Sequence, residues 1–201
     1  MTTLFDRFLR WCPGALGLWL RSKVYPYRFG SCGRGVLFGR FIDLYGAERI
    51  HLGRKVVISN GVVLSAGKGH GDEGTIYLDE EVFLGSETVL STAGKGAILI
   101  GEGSNFSSYC TVETDSIFRM GRDCLIAGYC RFGEIGECSS PGKDIYVGDG
   151  CWLGVRLQVN PGVTIGDNAI VGAHALVEKD VVPFGIAVGS PAVTKKIRGE
   201  G

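Results

Sequence analysis

The chain has 201 residues, of which 33 are glycine and 6 proline, with 45% apolar and 21% charged side chains. Glycine at roughly one residue in six, against a usual share of about 7%, comes here without a Gly-X-Y period and without a disordered chain's Ser, Gln and Pro excess, so collagen and disorder are excluded. Lys plus Arg equals Asp plus Glu at 21 each, which leaves no overall cationic excess to recruit nucleic acid.

Residues 1–30 differ in composition from the rest of the chain. They carry Arg7, Arg10, Arg21, Lys23 and Arg28 against Asp6 alone, and their apolar residues fall in two clusters, Leu4 to Trp11 and Leu16 to Leu20. This predicts a short amphipathic helical cap over 1–30 that seals the first turn of a repeat beginning at Cys32. Residues 1–28 also fit an interfacial helix pair resting on anionic lipid. The uncharged run from Trp11 to Leu20 contains Pro13 and is far shorter than the ~20 apolar residues of a bilayer span, so neither a transmembrane helix nor a secretory leader is predicted. Seven cysteines without a C-x-x-C pair fit reduced thiols, and the expected location is cytoplasmic, or the inner face of the membrane.

From Cys32 onward a six-residue period runs in blocks of three. The blocks are Cys32, Phe38, Leu44; Leu52, Ile58, Leu64; Leu78, Leu84, Leu90; Ile100, Phe106, Val112; Met120, Ile126, Phe132; Val147, Leu153, Val159; and Ile165, Val171, Val177. In the C-terminal half Gly148, Gly154, Asn160, Gly166 and Gly172 come directly after, and a second small or aliphatic residue stands four positions after each. A period of six matches neither a helix nor simple strand alternation. It predicts short strands joined by tight turns: an all-β parallel β-helix of about seven triangular coils over 31–184, with 185–201 as a C-terminal tail. The glycines are expected at corners, where the backbone takes positive or crowded angles. Cys110, Cys124, Cys130 and Cys151 all occupy the small inward slot, which predicts core thiols stacked as Cys110 with Cys130 and Cys124 with Cys151.

Steps between blocks exceed six at the five breaks that start at Leu44, Leu64, Leu90, Val112 and Phe132, and the longest run from Leu64 to Leu78 and from Phe132 to Val147. Because spacing within a block never changes, all insertions leave from one corner and form a column of loops, the usual seat of function on a rigid scaffold. The first long loop carries His70, which Asp72 or Glu73 could orient as a general base. The second carries Glu134 and Glu137, either of which could act as base if desolvation raised its pKa, and Cys138. All of these equally fit solvated loop residues. His51, His70 and His174 lack the spacing of a zinc site, so no metal is predicted.

Val147-Gly-Asp-Gly-Cys-Trp-Leu-Gly154, Asn160-Pro-Gly-Val-Thr-Ile-Gly-Asp167, Ile170-Val-Gly-Ala173 and Val188-Gly-Ser-Pro-Ala192 resemble the motifs of the hexapeptide-repeat acyltransferases, over about residues 32–198. The resemblance implies a left-handed β-helix assembled as a homotrimer, with acetyl-CoA lying in a groove between neighbouring prisms. It implies that Trp152, Gly154, Gly172 and Ala173 line that groove and that Lys179, Lys195 and Lys196 stand near the coenzyme phosphates. It also implies O-acetylation of a sugar hydroxyl in surface polysaccharide or lipopolysaccharide biosynthesis. One departure stands out: such relatives carry a histidine in the loop before the Gly-Asp-x-x-Trp turn, and this chain has none there. N-acetylation of an amino sugar or small amine, or a non-catalytic scaffold, therefore stays open beside the O-acetyltransferase.

Overall fold

The computed structural model describes residues 4–67, 73–133 and 143–197. Short strands stack into three parallel sheets of seven, nine and seven strands. Face one begins with Ser31–Cys32 and ends with Thr164–Ile165, face two begins with Leu37–Phe38, and face three runs from Asp43–Tyr45 to Leu176–Val177. The chain visits the faces in that order, so each circuit is one level of a triangular prism. The pairing is in register with the sequence period: Phe38, Ile58, Leu84, Phe106, Ile126, Leu153 and Val171 lie in one line across face two. From Phe38 onward every aliphatic or aromatic residue of the period is buried except Leu44, which is half-buried. A core residue thus packs on its counterparts one level above and below, and no coil buries its apolar side alone.

The corners refine the expectation about glycine. At two of the three corners the left-handed backbone position is held mostly by other residues, among them Lys55, Glu81, Asp123 and Asn168 between faces one and two, and Glu87, Tyr109, Tyr129, Arg156 and His174 between faces two and three. The periodic glycines stand two residues earlier, where successive coils touch. A Cβ on Gly53 would lie 2.6 Å from the carbonyl carbon of Asp79, and one on Gly85 2.5 Å from that of Ser107. Close approach of stacked backbones, more than positive φ, selects glycine there. The inward cysteines are core as expected: Cys130 donates to Gly154 O at 3.1 Å and Cys124 to Gly148 O at 3.0 Å. The Cys110 thiol and burial push the Cys130 thiol well above its ordinary value, and Cys124 and burial do the same to Cys151, which makes both inert.

Residues 185–197, expected as part of a tail, extend the prism instead. Gly185–Val188 pairs in parallel with Ile170–Val171, and Val193–Ile197 folds back antiparallel as the ninth strand of face two. At the other end α1 (Leu4–Trp11) and α2 (Gly14–Val24) form a hairpin on the first level. Arg21, only 2% exposed, fixes it: Nε donates to Phe38 O at 2.9 Å, and Nη1 to Leu9 O at 3.0 Å and Cys12 O at 2.8 Å. One guanidinium therefore satisfies carbonyls left open at the end of α1 and bolts the hairpin to face two. Tyr25 and Phe29 complete the seal on Phe38, with ring centroids at 5.3 and 5.6 Å.

Arg21→Leu leaves three buried carbonyls without their donor and is expected to lower unfolding stability by about 2–4 kcal/mol. Gly85→Ala, forced against the Ser107 backbone, is expected to cost about 1–3 kcal/mol. Urea midpoints of the two variants against the parent check both.

Candidate functional site

The insertions at 46–49, 67–74, 93–96, 115–116 and 134–144 all connect face three to face one, so the loops do share one corner. His70, Glu134, Glu137 and Cys138 lie outside the described residues, but the anchors of their loops are described. Arg49 in the first loop donates Nε to Ala66 O at 3.1 Å and to Gly74 O at 3.2 Å, which clamps both ends of the His70 loop together. The glutamate loop departs at Gly133, where φ is +102 and a Cβ would collide with Glu113 O, so only glycine permits the exit. It returns at Asp144. One carboxylate oxygen accepts from Ser116 Oγ and from the Ile117 N–H at 3.0 Å, and the other accepts from Tyr146 Oη at 2.8 Å. The Ser116 hydroxyl, then the Ile117 amide and the Tyr146 phenol, hold this carboxyl below the usual aspartate range.

The residues expected to line a coenzyme groove divide between two places. Trp152 projects from face two, 54% exposed, in register with Leu125, Ile170, Ile186 and Lys196. Gly154, Gly172 and Ala173 form the adjoining corner with face three; a Cβ on Gly154 would lie 2.5 Å from the Ala173 nitrogen. Lys195 and Lys196 stand on the last strand of the same face. Lys179 is elsewhere, exposed in the turn after Val177 on the loop side of the prism.

Sequence reasoning missed a ladder along the corner that holds Gly154 and Gly172. Tyr109 stacks on Tyr129 with centroids 4.9 Å apart, Arg156 lies 5.3 Å above the Tyr129 ring, and His174 takes the same left-handed position one level on. Their common phase, three residues past the inward Phe106, Ile126, Leu153 and Val171, was the available signal. With Trp152 beside it, this edge offers aromatic faces and a guanidinium to an elongated, phosphate-bearing ligand.

Concave surface lies on another side. Two adjoining troughs of about 600 and 330 Å³ run down face one and share Arg119, Gly121 and Asp149. In the larger, Ser31 Oγ lies 3.0 Å from His51 Nδ1, and the His51 ring stacks on Tyr77 with centroids 4.5 Å apart. Trough volume and motif chemistry thus disagree in place. The motif residues carry more weight, because chemistry requires particular groups and not merely space. Face two lies opposite the corner where faces three and one meet, so in a single prism Trp152 points away from both long loops.

Asp144 yields a prediction. Its folded pKa is lowered, so its hydrogen bonds contribute stability above the unfolded value of about 3.9 and lose it as pH falls through the lower folded value. The Ile117 amide resonance should titrate with a midpoint below that of a free aspartate, and in Asp144→Asn this transition should vanish, as NMR of the amide would show.

Comparison with known proteins shows what these features resemble. The family described as bacterial transferase hexapeptide (six repeats) matches residues 144–179, and the hexapeptide repeat of succinyl-transferase matches residues 50–66. A chloramphenicol acetyltransferase of Agrobacterium fabrum is 43% identical over 58 residues, 29% of this chain and 28% of that protein. The galactoside O-acetyltransferase of Escherichia coli is 47% identical over 47 residues, 23% of each. The chain spans between about a quarter and a half of the curated relatives it matches. Among solved structures, a variant of AntD, an N-acyltransferase from Bacillus cereus in complex with dTDP and coenzyme A, superposes with a TM-score of 0.60 at 17% identity, over 90% of this chain and 89% of that one. That likeness is one of fold. Repeat, three-sided prism and matched segments together make this chain similar to the hexapeptide-repeat acyltransferases.

Proposed function

We propose that the chain is an acetyl-CoA-dependent O-acetyltransferase that acts on a sugar hydroxyl, in surface polysaccharide or lipopolysaccharide assembly, and works as a homotrimer. One observation carries the reading: the loop corner and Trp152 are on opposite sides of the prism. An eleven-residue excursion from 134 to 144 reaches out and back no more than about 18 Å, which would be spent crossing a neighbouring face. A loop-borne base can meet a coenzyme on face two only if the two come from different copies. A closed ring of prisms, loop edge of one against face two of the next, supplies that arrangement as many times as there are copies.

In such a site Trp152, the Gly154 and Gly172 corner, and Lys195 and Lys196 hold the coenzyme. Lys179, on the loop side, would meet its phosphates only from the neighbouring copy. His70 or Glu137, with Glu134 nearby, removes the acceptor proton as the hydroxyl oxygen attacks the acetyl carbon. Backbone N–H groups hold the resulting oxyanion. The intermediate then collapses, the C–S bond breaks, and the coenzyme thiolate leaves and recovers a proton. The two long loops lie three levels apart, about 14 Å at strand spacing, so a single base is the simpler assignment. The missing histidine of the second loop favours a second reading, N-acetylation of an amino sugar, since the neutral fraction of an amine attacks without a base.

Thiol release from acetyl-CoA with sugar and amino-sugar acceptors tests the activity, and its absence with every acceptor would leave the scaffold reading standing. His70→Ala or Glu137→Gln, whichever carries the base, should lower kcat by about 10²-fold or more; full activity in both overturns the assignment. Trp152→Ala should raise the KM for acetyl-CoA about tenfold. At acetyl-CoA well below KM, an equal mixture of Trp152→Ala and the inactive base variant should give about a quarter of the parental rate if sites are shared between copies, against about a twentieth if each copy holds its own site.

A further inference from the structure

The helix pair has two sides, and only one is needed to close the prism. Leu9, Cys12, Gly17, Arg21 and Tyr25 are buried on the inner side, where Gly17 lets the hairpin close so tightly that a Cβ would strike Cys12 O. The outer side is apolar as well. Leu4, Phe8 and Trp11 repeat at i, i+4 and i+7 along α1, and Leu16 and Trp19 at i and i+3 along α2. All five are exposed, Leu4 at 88% and both tryptophans at more than half. Because Arg21 holds the inner side in place through three carbonyls, these residues cannot turn inward, and the seal on the first level is already complete without them.

Charge identifies what the outer side faces. Between residues 4 and 41 the cations are Arg7, Arg10, Arg21, Lys23, Arg28, Arg34 and Arg40, and the one acid is Asp6. Asp6 is engaged by Arg28, Arg10 pairs with Asp43 at 2.8 Å, and Arg21 is buried. Arg7 and Lys23 are exposed on the two helices with no carboxylate partner among the described residues. A second copy laid on this patch would gather the Arg7 and Lys23 of both copies in one interface whose nearest carboxylates, Asp6 and Asp43, are already paired. An anionic lipid surface answers both features at once: headgroups take the cations, and the acyl boundary takes the tryptophans and leucines.

We propose that the outer side of the α1–α2 hairpin docks on an anionic bilayer surface and lies in the headgroup region. No helix among the described residues is long and apolar enough to cross a membrane, so the contact is peripheral. This inference goes beyond acyl transfer and does not depend on it.

Co-sedimentation of the full chain with vesicles of phosphatidylcholine, with and without about one quarter phosphatidylglycerol, tests it. The parent should partition at least about tenfold more onto the anionic vesicles, and rising salt should weaken the binding. Trp11→Glu combined with Trp19→Glu should abolish binding, and Arg7→Gln combined with Lys23→Gln should remove the anionic preference. Thermal midpoint and oligomeric state by light scattering should stay unchanged in both. Failure of the parent to pellet, or pelleting of both double variants equal to that of the parent, overturns the proposal. So does a change of oligomeric state in the tryptophan variant, which would put a second copy on this patch.

Discussion

Everything in this prism depends on how closely one coil can lie on the next. Parallel strands stack about 4.8 Å apart, and at each corner two backbones must pass at that spacing while both change direction. Gly53 against Asp79, Gly85 against Ser107 and Gly154 against Ala173 are places where even a methyl group would meet main-chain atoms. Relieving that contact lets the aliphatic residue before each glycine point inward at every level. A continuous apolar core results, and with it a rigid edge on which loops can be held. Polar and aromatic residues accept the left-handed position two residues later because that strain, about 1–2 kcal/mol each, is smaller than a backbone collision.

Rigidity matters because the prism separates its functional parts. The loops exit and return through fixed points, Arg49 across one and Gly133 with Asp144 for the other, so their starting geometry is set by neighbouring levels. Trp152 and the aromatic ladder of Tyr109, Tyr129 and Arg156 sit on the far side and its edge. A scaffold of this kind cannot bend to bring them together. In the proposed trimer a neighbouring copy would complete the site and cover Leu37, Leu125 and Trp152, which stand exposed along one face.

The two ends of the prism are closed by different means. At the C-terminal end the strand at Val193–Ile197 turns back antiparallel over Gly185–Val188, which leaves a short, charged edge containing Lys195 and Lys196. At the N-terminal end a buried guanidinium and three aromatic rings form the closure, and the apolar residues left outside give that end a second surface. One end is thus finished in polar terms and the other is not.

Sequence alone determined the period, the three faces, the common corner of the insertions and the inward cysteines, because each is a matter of phase along the chain. Phase is local, and 4.8 Å stacking converts it directly into neighbours. It could not assign the periodic glycines to crowding over conformation, since that needs the distance to the next coil. It could not find Arg21 as a bolt, because its three acceptors stand 9, 12 and 17 residues away in no repeating relation. Nor did it separate Lys179 from Lys195 and Lys196, or set the loop corner opposite Trp152. Those are relations between faces, and only closing the triangle decides which faces look toward each other.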